Sequence, residues 1–239
     1  MRYLMTGATG YVGSSVAERL LKAGHEVAGL ARNSEAETAL RARGIDPIPG
    51  DLAQPKSWAG RREGVDGFIH TAFNHGGDFG EAVRQERAAV KAVIERFANS
   101  GKLVLVVTAT GVLGDTGSHP VDESFPGQSG FPAEIRKGVE ADVLGAAATG
   151  VRGVVVRPAI LVYGHSASQF VPHLVRTALQ NREAVYVGAG ENRIATVHVD
   201  DLADLIVSAA ERASAGAILH GASGDIATRD LAEAIARGH

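Results

Sequence analysis

The chain has no cysteine among its 239 residues. Disulfide bracing, thiolate nucleophiles and cysteine-ligated metal are therefore excluded, and the composition suits a cytoplasmic protein. It also lacks an excess of either charge, with 24 Lys and Arg against 27 Asp and Glu and a net charge of −3. Without a dense basic face there is no footprint for a phosphate backbone, so nucleic acid is not expected as a partner. No apolar run is long enough to span a bilayer, and no basic stretch with a long apolar segment opens the chain. Neither a membrane partner nor a signal peptide is expected. Aromatic residues are few, and only four are tyrosines, which limits the proton donors available.

What is present is an alternation of short apolar runs and helical patterns. Strands are expected at 2–6, 26–31, 46–49, 66–71, 103–108 and 152–157, and helices at 13–23, 34–43, 54–62, 80–99 and 133–149. Gly24, Gly44, Gly64, Gly101 and Gly150 stand where these helices would stop. Apolar strands alternating with helices imply an α/β fold, a doubly wound parallel sheet of Rossmann type with its ligand at the carboxyl ends of the strands. From about Tyr163 the rhythm changes: helix 168–181, strands 185–187 and 194–198, helix 199–213, strand 217–220 and helix 228–236. The whole chain, 1–239, reads as one nucleotide-binding domain in which 163–198 and 217–239 form a small C-terminal substrate lobe. The irregular stretch 109–132 reads either as a lid or as a surface loop.

The first strand runs into Thr6-Gly7-Ala8-Thr9-Gly10-Tyr11-Val12-Gly13 and then a helix. Strand, glycine turn and helix start together make a pyrophosphate cradle: glycines let the backbone approach, and the helix presents free N–H groups with partial positive charge. The Gly7, Gly10, Gly13 spacing differs from the broad GxGxxG fingerprint.

With this turn the chain resembles the short-chain dehydrogenase/reductase superfamily in its extended or atypical branches, which are NAD-dependent epimerase/dehydratase-like. TGATGYVG is similar to the TGxxGxxG turn of those branches. Gly50-Asp51-Leu52, His70-Thr71-Ala72-Phe73, Arg157-Pro158-Ala159-Ile160-Leu161-Val162-Tyr163-Gly164 and Val197-His198-Val199-Asp200-Asp201 extend the resemblance over nearly the whole chain. It implies that Asp51 and Leu52 lie beside the adenine, that Thr71, Ala72 and Phe73 line the adenosine and ribose, and that Pro158, Ala159 and Ile160 lie near the nicotinamide. Thr108 joins this cofactor set. At the end of the second strand Ala31 stands where the family has an acid, followed by Arg32 and Asn33. A guanidinium there suits a 2′-phosphate, so NADP is expected over NAD.

The catalytic half departs from the family, which uses a Tyr and a Lys four residues later on one helix face. Four residues after Tyr3, Tyr11, Tyr163 and Tyr186 stand Gly7, Ser15, Ala167 and Gly190. In the segment expected to carry the pair, Lys137 as the lysine puts Ala133 at the tyrosine place. Arg136 instead puts Pro132 there and lets Glu140 match a common helix glutamate. After the fifth strand the chain reads Thr108-Ala109-Thr110 where a serine pair is usual. The replacements weighed are Thr110 or Thr108 holding a substrate carbonyl, Arg136 or Lys137 stabilising an oxyanion, and His75 or His165 as general acid. No recognised metal-ligand spacing is present, and Asp200 and Asp201 read as acids capping a helix start.

The leading expectation is an NADPH-dependent oxidoreductase acting on a small carbonyl, enone or imine in a pocket formed by 109–132, 163–171 and 187–197. A redox-neutral epimerase or dehydratase, and a non-catalytic NADPH-binding sensor or scaffold, remain as alternatives. The family often pairs through the helices at 80–99 and 133–149. Ala141, Ala146, Ala147 and Ala148 would permit such a homodimer or would pack on the sheet.

Overall fold

A computed structural model of the protein describes residues 1–60, 64–129, 135–165, 168 and 170–238. Among these, seven parallel strands form the main sheet: β1 (Arg2–Thr6), β2 (Glu26–Ala31), β3 (Asp46–Pro49), β4 (Gly67–His70), β5 (Leu103–Val107), β6 (Arg152–Pro158) and β9 (Ala217–Gly221). Their order is β3-β2-β1-β4-β5-β6-β9. The chain leaves β1 toward β2 and β3, then returns to β4 and continues the other way. The carboxyl ends of β1 and β4 therefore flank the crevice where a ligand belongs in such a sheet.

The strands are apolar throughout because both faces are covered. Every residue of β5, Leu-Val-Leu-Val-Val, is buried. On one face α1 (Tyr11–Lys22) and α6 (Val199–Arg212) pack Val16, Leu20, Leu202 and Ile206 against Tyr3, Met5 and Leu105. On the other, α3 (Phe79–Phe97) and α4 (Lys137–Gly145) place Val90, Val93, Val139 and Val143 against Leu4, Phe68 and Val104. The outer helix α2 (Ser34–Arg41) closes on Leu40. Gly24 and Gly150, expected to end helices, have φ of 81° and 71°, the left-handed conformation that glycine adopts without a Cβ penalty.

Three strands form a second sheet, ordered β10-β8-β7: β7 (Leu161–Tyr163), β8 (Arg193–His198) and β10 (Gly224–Ala227). With α5 (Phe170–Asn181) and α7 (Thr228–Arg237) it makes up the lobe. Four expectations change. Strand 217–220, assigned to the lobe, is β9 and pairs with β6 in the main sheet. Stretch 185–187 is not a strand: it pairs with no strand of either sheet, and Val185 and Val187 stand exposed. The helix expected at 54–62 is, within the described residues 54–60, a single 3-10 turn over Pro55–Ser57. There the chain turns to bury Trp58, whose indole N–H donates to Asp51 O at 2.8 Å. The helix at 133–149 begins, within the described residues, at Lys137, and its last turn is 3-10.

Candidate functional site

The glycine turn is locked to the end of β4. Thr6 O accepts from Thr71 N at 3.1 Å and from Thr71 Oγ1 at 2.9 Å. Gly7, at φ 78°, lies so close that a Cβ would sit 2.7 Å from Ala72 N and from Thr71 Oγ1. A Cβ on Gly13 would overlap Gly7 O. Gly10 N donates to Gly7 O at 2.8 Å, closing the turn. Gly10 also precedes α1 as its cap, no side chain caps the helix, and its first turn carries no acid. The leading N–H groups of a helix have no intrahelical partner, so this end keeps its partial positive charge for an anion. Ala8 is fully buried while Thr9 and Gly10 face out. Val12 packs on the core, and Tyr11 donates its hydroxyl to Gly164 O at 2.8 Å. The residues present thus fit a dinucleotide pyrophosphate.

Arg32, at the end of β2, is exposed and makes no hydrogen bond or ion pair among the described residues. Asn33 is used differently: its side chain accepts from Ala36 N at 2.9 Å and caps α2. Asp51 is exposed and its Oδ1 accepts from Ala53 N at 2.8 Å, while Leu52 packs against the core beneath. Phe73 follows Thr71 and Ala72, with its ring under the Arg136 guanidinium at 4.4 Å. Pro158 and Ala159 are buried and Ile160 is 49 % exposed. Gly7, Thr71, Thr108 and Pro158 follow or end β1, β4, β5 and β6, so the topology brings them to one edge of the sheet.

Two buried guanidinium–carboxylate pairs occupy the region where acid–base residues were sought. Arg136 grips Glu86 through Nε (3.0 Å) and Nη2 (2.5 Å), and Nη2 also reaches Val107 O at 3.3 Å. Burial pushes the Glu86 carboxyl up, but the neighbouring His70 and the hydrogen-bonded Arg136 guanidinium outweigh it and leave the pKa below its ordinary value. His70 Nδ1 lies 2.6 Å from Thr6 Oγ1, and its Nε2 faces Glu86 Oε1 at 3.5 Å, the limit of hydrogen-bond reach. The second pair joins Arg157 to Glu140 at 2.6 Å, and Glu140 also accepts the Thr108 hydroxyl at 2.6 Å. Arg157 Nη1 approaches His220 Nε2 at 3.4 Å, and His220 N donates to Glu123 Oε1 at 2.8 Å.

Of the six residues weighed for catalysis, four have structural partners, His165 among them through Asp200. Thr108 is tied to Glu140 and Arg136 to Glu86. Lys137 Nζ donates to Pro126 O at 3.0 Å and to Gln128 O at 3.4 Å. With the Glu123 contact, these bonds anchor the described part of 109–132 to the body. Thr110 starts a 3-10 turn, half-buried, and its hydroxyl has no partner among the described residues. His75 sets its ring edge-on to Phe73 at 4.9 Å, and desolvation, then the Arg136 charge, lower its pKa. Pro132 and Ala133, at the tyrosine place, lie outside the described residues. The sequence reading missed the two pairs. Glu86 inside the apolar stripe of Val83, Ala89, Val90 and Val93, and Arg157 closing a run of valines, were the available signals.

The lobe holds a cavity of about 220 Å³. Leu174 and Ala178 of α5, Ile194 of β8, and Leu231 and Ile235 of α7 line it, with Val185 and Val187 on its 183–187 loop. Among the described residues it meets the pocket expected from sequence only at Phe170, Val187, Asn192 and Ile194, and takes no lining from 109–129. At the start of α6 the cap is His198, whose Nδ1 accepts from Asp200 N at 3.2 Å. Asp200 instead meets Arg19 at 3.1 Å and His165 at 3.0 Å. No helix among the described residues is long and apolar enough to cross a membrane.

The sequence profile described as the NAD dependent epimerase/dehydratase family matches residues 3–220. An uncharacterized protein of Schizosaccharomyces pombe is 34 % identical over 223 residues, covering 92 % of this chain and 74 % of that protein. A 2-alkyl-3-oxoalkanoate reductase of Stenotrophomonas maltophilia is 30 % identical over 212 residues, covering 85 % of this chain and 63 % of the reductase. Among solved structures, a dTDP-glucose 4,6-dehydratase of Streptomyces venezuelae with NAD bound superposes with a TM-score of 0.79 at 24 % identity. That superposition covers 98 % of this chain and 80 % of the other, a likeness of fold.

Proposed function

The chain belongs to the NAD dependent epimerase/dehydratase family, and we propose that the protein is an NADPH-dependent oxidoreductase acting on a small carbonyl, enone or imine. The observation that carries this reading is the uncapped amino end of α1, behind a turn in which Gly7 and Gly13 leave no room for a side chain. Arg32, which has no partner among the described residues, suits a 2′-phosphate through the paired hydrogen bonds a guanidinium offers. Gly7 to Gly13 would hold the pyrophosphate by backbone N–H groups. Asp51 and Leu52 would border the adenine, Thr71 to Phe73 the ribose, and Ile160 the nicotinamide. The dinucleotide, when bound, supplies hydride chemistry.

Thr110 is the residue we assign to the substrate oxygen, because its hydroxyl has no partner among the described residues while Thr108, Arg136 and Lys137 are bonded within the fold. Its hydroxyl donates to the carbonyl oxygen, and solvent replaces the proton that a tyrosine would deliver. His75, held toward its neutral form, is the alternative donor. The apolar lobe cavity would take an apolar part of the substrate, as the name of the S. maltophilia reductase also suggests. A homodimer would use the outer faces of α3 and α4. Ala141, Ala147 and Ala148 are exposed there, whereas Ala146 is buried on the sheet.

The test is loss of NADPH absorbance against a panel of aldehydes, ketones, enones and imines, with Thr110→Val beside the native chain. Turnover that falls in the variant supports the reading. Tight NADPH binding with no turnover on any class favours a second one, a nucleotide-binding sensor. That reading draws its support from the buried pairs that hold Thr108 and Arg136 out of chemistry.

A further inference from the structure

Beyond the glycine turn, three side chains converge where the end of β7 meets the start of α6. His165 Nε2 lies 3.0 Å from Asp200 Oδ2, and His198 Nδ1 lies 3.8 Å from the same oxygen. The three donor atoms all fall within 4.8 Å of one another. We propose that His165, His198 and Asp200 form a binding site for one first-row divalent cation, zinc in particular.

The spacing fits such an ion. Zinc bonds to imidazole and carboxylate are about 2.0–2.1 Å, so neighbouring ligand atoms around a tetrahedral ion are roughly 3.3 Å apart. The two measured edges lie on either side of that value. Two imidazole nitrogens and one carboxylate oxygen make a donor set suited to zinc, and it leaves a fourth position to water.

The ligands are also held in place. Gly164, at φ 119°, backs onto His198, and a Cβ there would overlap the imidazole Nε2. Tyr11 fixes the carbonyl of Gly164 at 2.8 Å. His165 follows in the left-handed conformation, φ 53°, which is uncommon outside glycine, and its ring meets that of His198 with centroids 5.5 Å apart. Tyr163 packs edge-on against His198 at 5.3 Å. Arg19 Nη2 holds the other Asp200 oxygen, Oδ1, at 3.1 Å and leaves Oδ2 to a ligand. Its charge is shared with Asp204 at 2.7 Å, so it orients the carboxylate as an outer-shell partner does. His198 Nδ1 accepts the Asp200 N–H, which places its ring proton on Nε2 and leaves Nδ1 unprotonated, the form a metal takes. Binding would replace that long 3.2 Å bond and the contact between His165 and Asp200. The ion would pin β7 to α6 and, through Tyr11, steady the glycine turn.

Full-length protein freed of metal with a chelator is titrated with Zn²⁺ by calorimetry and with Co²⁺ by visible absorption. One saturable Zn²⁺ per chain, a low-coordinate cobalt spectrum and a rise in Tm on binding are expected. His165→Ala, whose native ring is largely exposed, should keep its circular dichroism and weaken Zn²⁺ binding by at least about 100-fold. Asp200→Asn, as a second variant, should do the same. Absence of saturable binding by the native chain, or undiminished binding in either folded variant, would overturn the site.

Discussion

Arg32 and Glu86 show how differently two charged residues act. Arg32 has no partner among the described residues and stands where the nucleotide's ribose would lie. A charge-assisted hydrogen bond to a 2′-phosphate contributes about 1.5–3 kcal/mol. Arg32→Ala should therefore weaken NADPH by roughly 10- to 100-fold and leave NADH unchanged, read by fluorescence titration. Equal losses for both nucleotides would remove Arg32 from the 2′-phosphate site. Glu86 is buried, its carboxylate neutralising the equally buried Arg136. Glu86→Ala strands that guanidinium away from water and should cost about 3–5 kcal/mol of stability in urea unfolding. Replacing both residues together with apolar ones should recover much of the loss, because no charge is then left unpaired. Arg136 was legible in the sequence as a charge near the catalytic segment. That it serves the fold depends on a residue fifty positions earlier in the chain, a distance no local pattern spans.

At the scale of elements, the strand–turn–helix opening was readable because its requirements are local. Each glycine answers a contact within the turn or with the strand beside it. Gly13→Ala would drive a Cβ into Gly7 O. Relief of that overlap must shift the turn, at roughly 1–3 kcal/mol for overpacking, and dinucleotide binding should fall below detection while the far-UV spectrum survives. Native-like NADPH affinity in this variant would show that the turn does not hold the pyrophosphate. Short lobe strands were less readable. β7 and β10 have only three and four residues, while the more strand-like Val185-Tyr186-Val187 pairs with no strand. The edge strand β9 carries a pH response of its own. Burial, foremost, and the Arg157 charge lower the His220 pKa below its ordinary 6.5, with Glu123 opposing. The unfolded chain then takes up this proton at higher pH than the folded one, so stability falls as pH drops through 6.5 and the fall ends below the folded value. His220→Asn should flatten the decline in Tm between about pH 7 and 5. An unchanged slope would exclude His220 as its source.

For the whole molecule, the arrangement of two sheets decides what the site can accept. The main sheet carries the residues proposed to hold the nucleotide at one edge, while the lobe opens an apolar cavity between α5 and α7. If that cavity receives part of the substrate, each added methylene that it buries contributes about 0.8 kcal/mol, or roughly fourfold in kcat/KM. Over a homologous series of ketones, kcat/KM should climb by that step until the cavity fills. A flat series would place the cavity outside the substrate path.

The sequence by itself determined the parallel α/β sheet, the order of its main elements, the glycine turn, the identity of the residue after β2 and the absence of a tyrosine–lysine pair. Those features rest on periodicity, on glycine's backbone freedom and on residue identity, all of which are local. Tertiary structure alone decided that β9 joins the main sheet, that Glu86 and Glu140 neutralise Arg136 and Arg157, and that 185–187 pairs with no strand. Each of these depends on which strand edge a segment reaches and on which buried charges must find partners, and segments distant in the chain settle both.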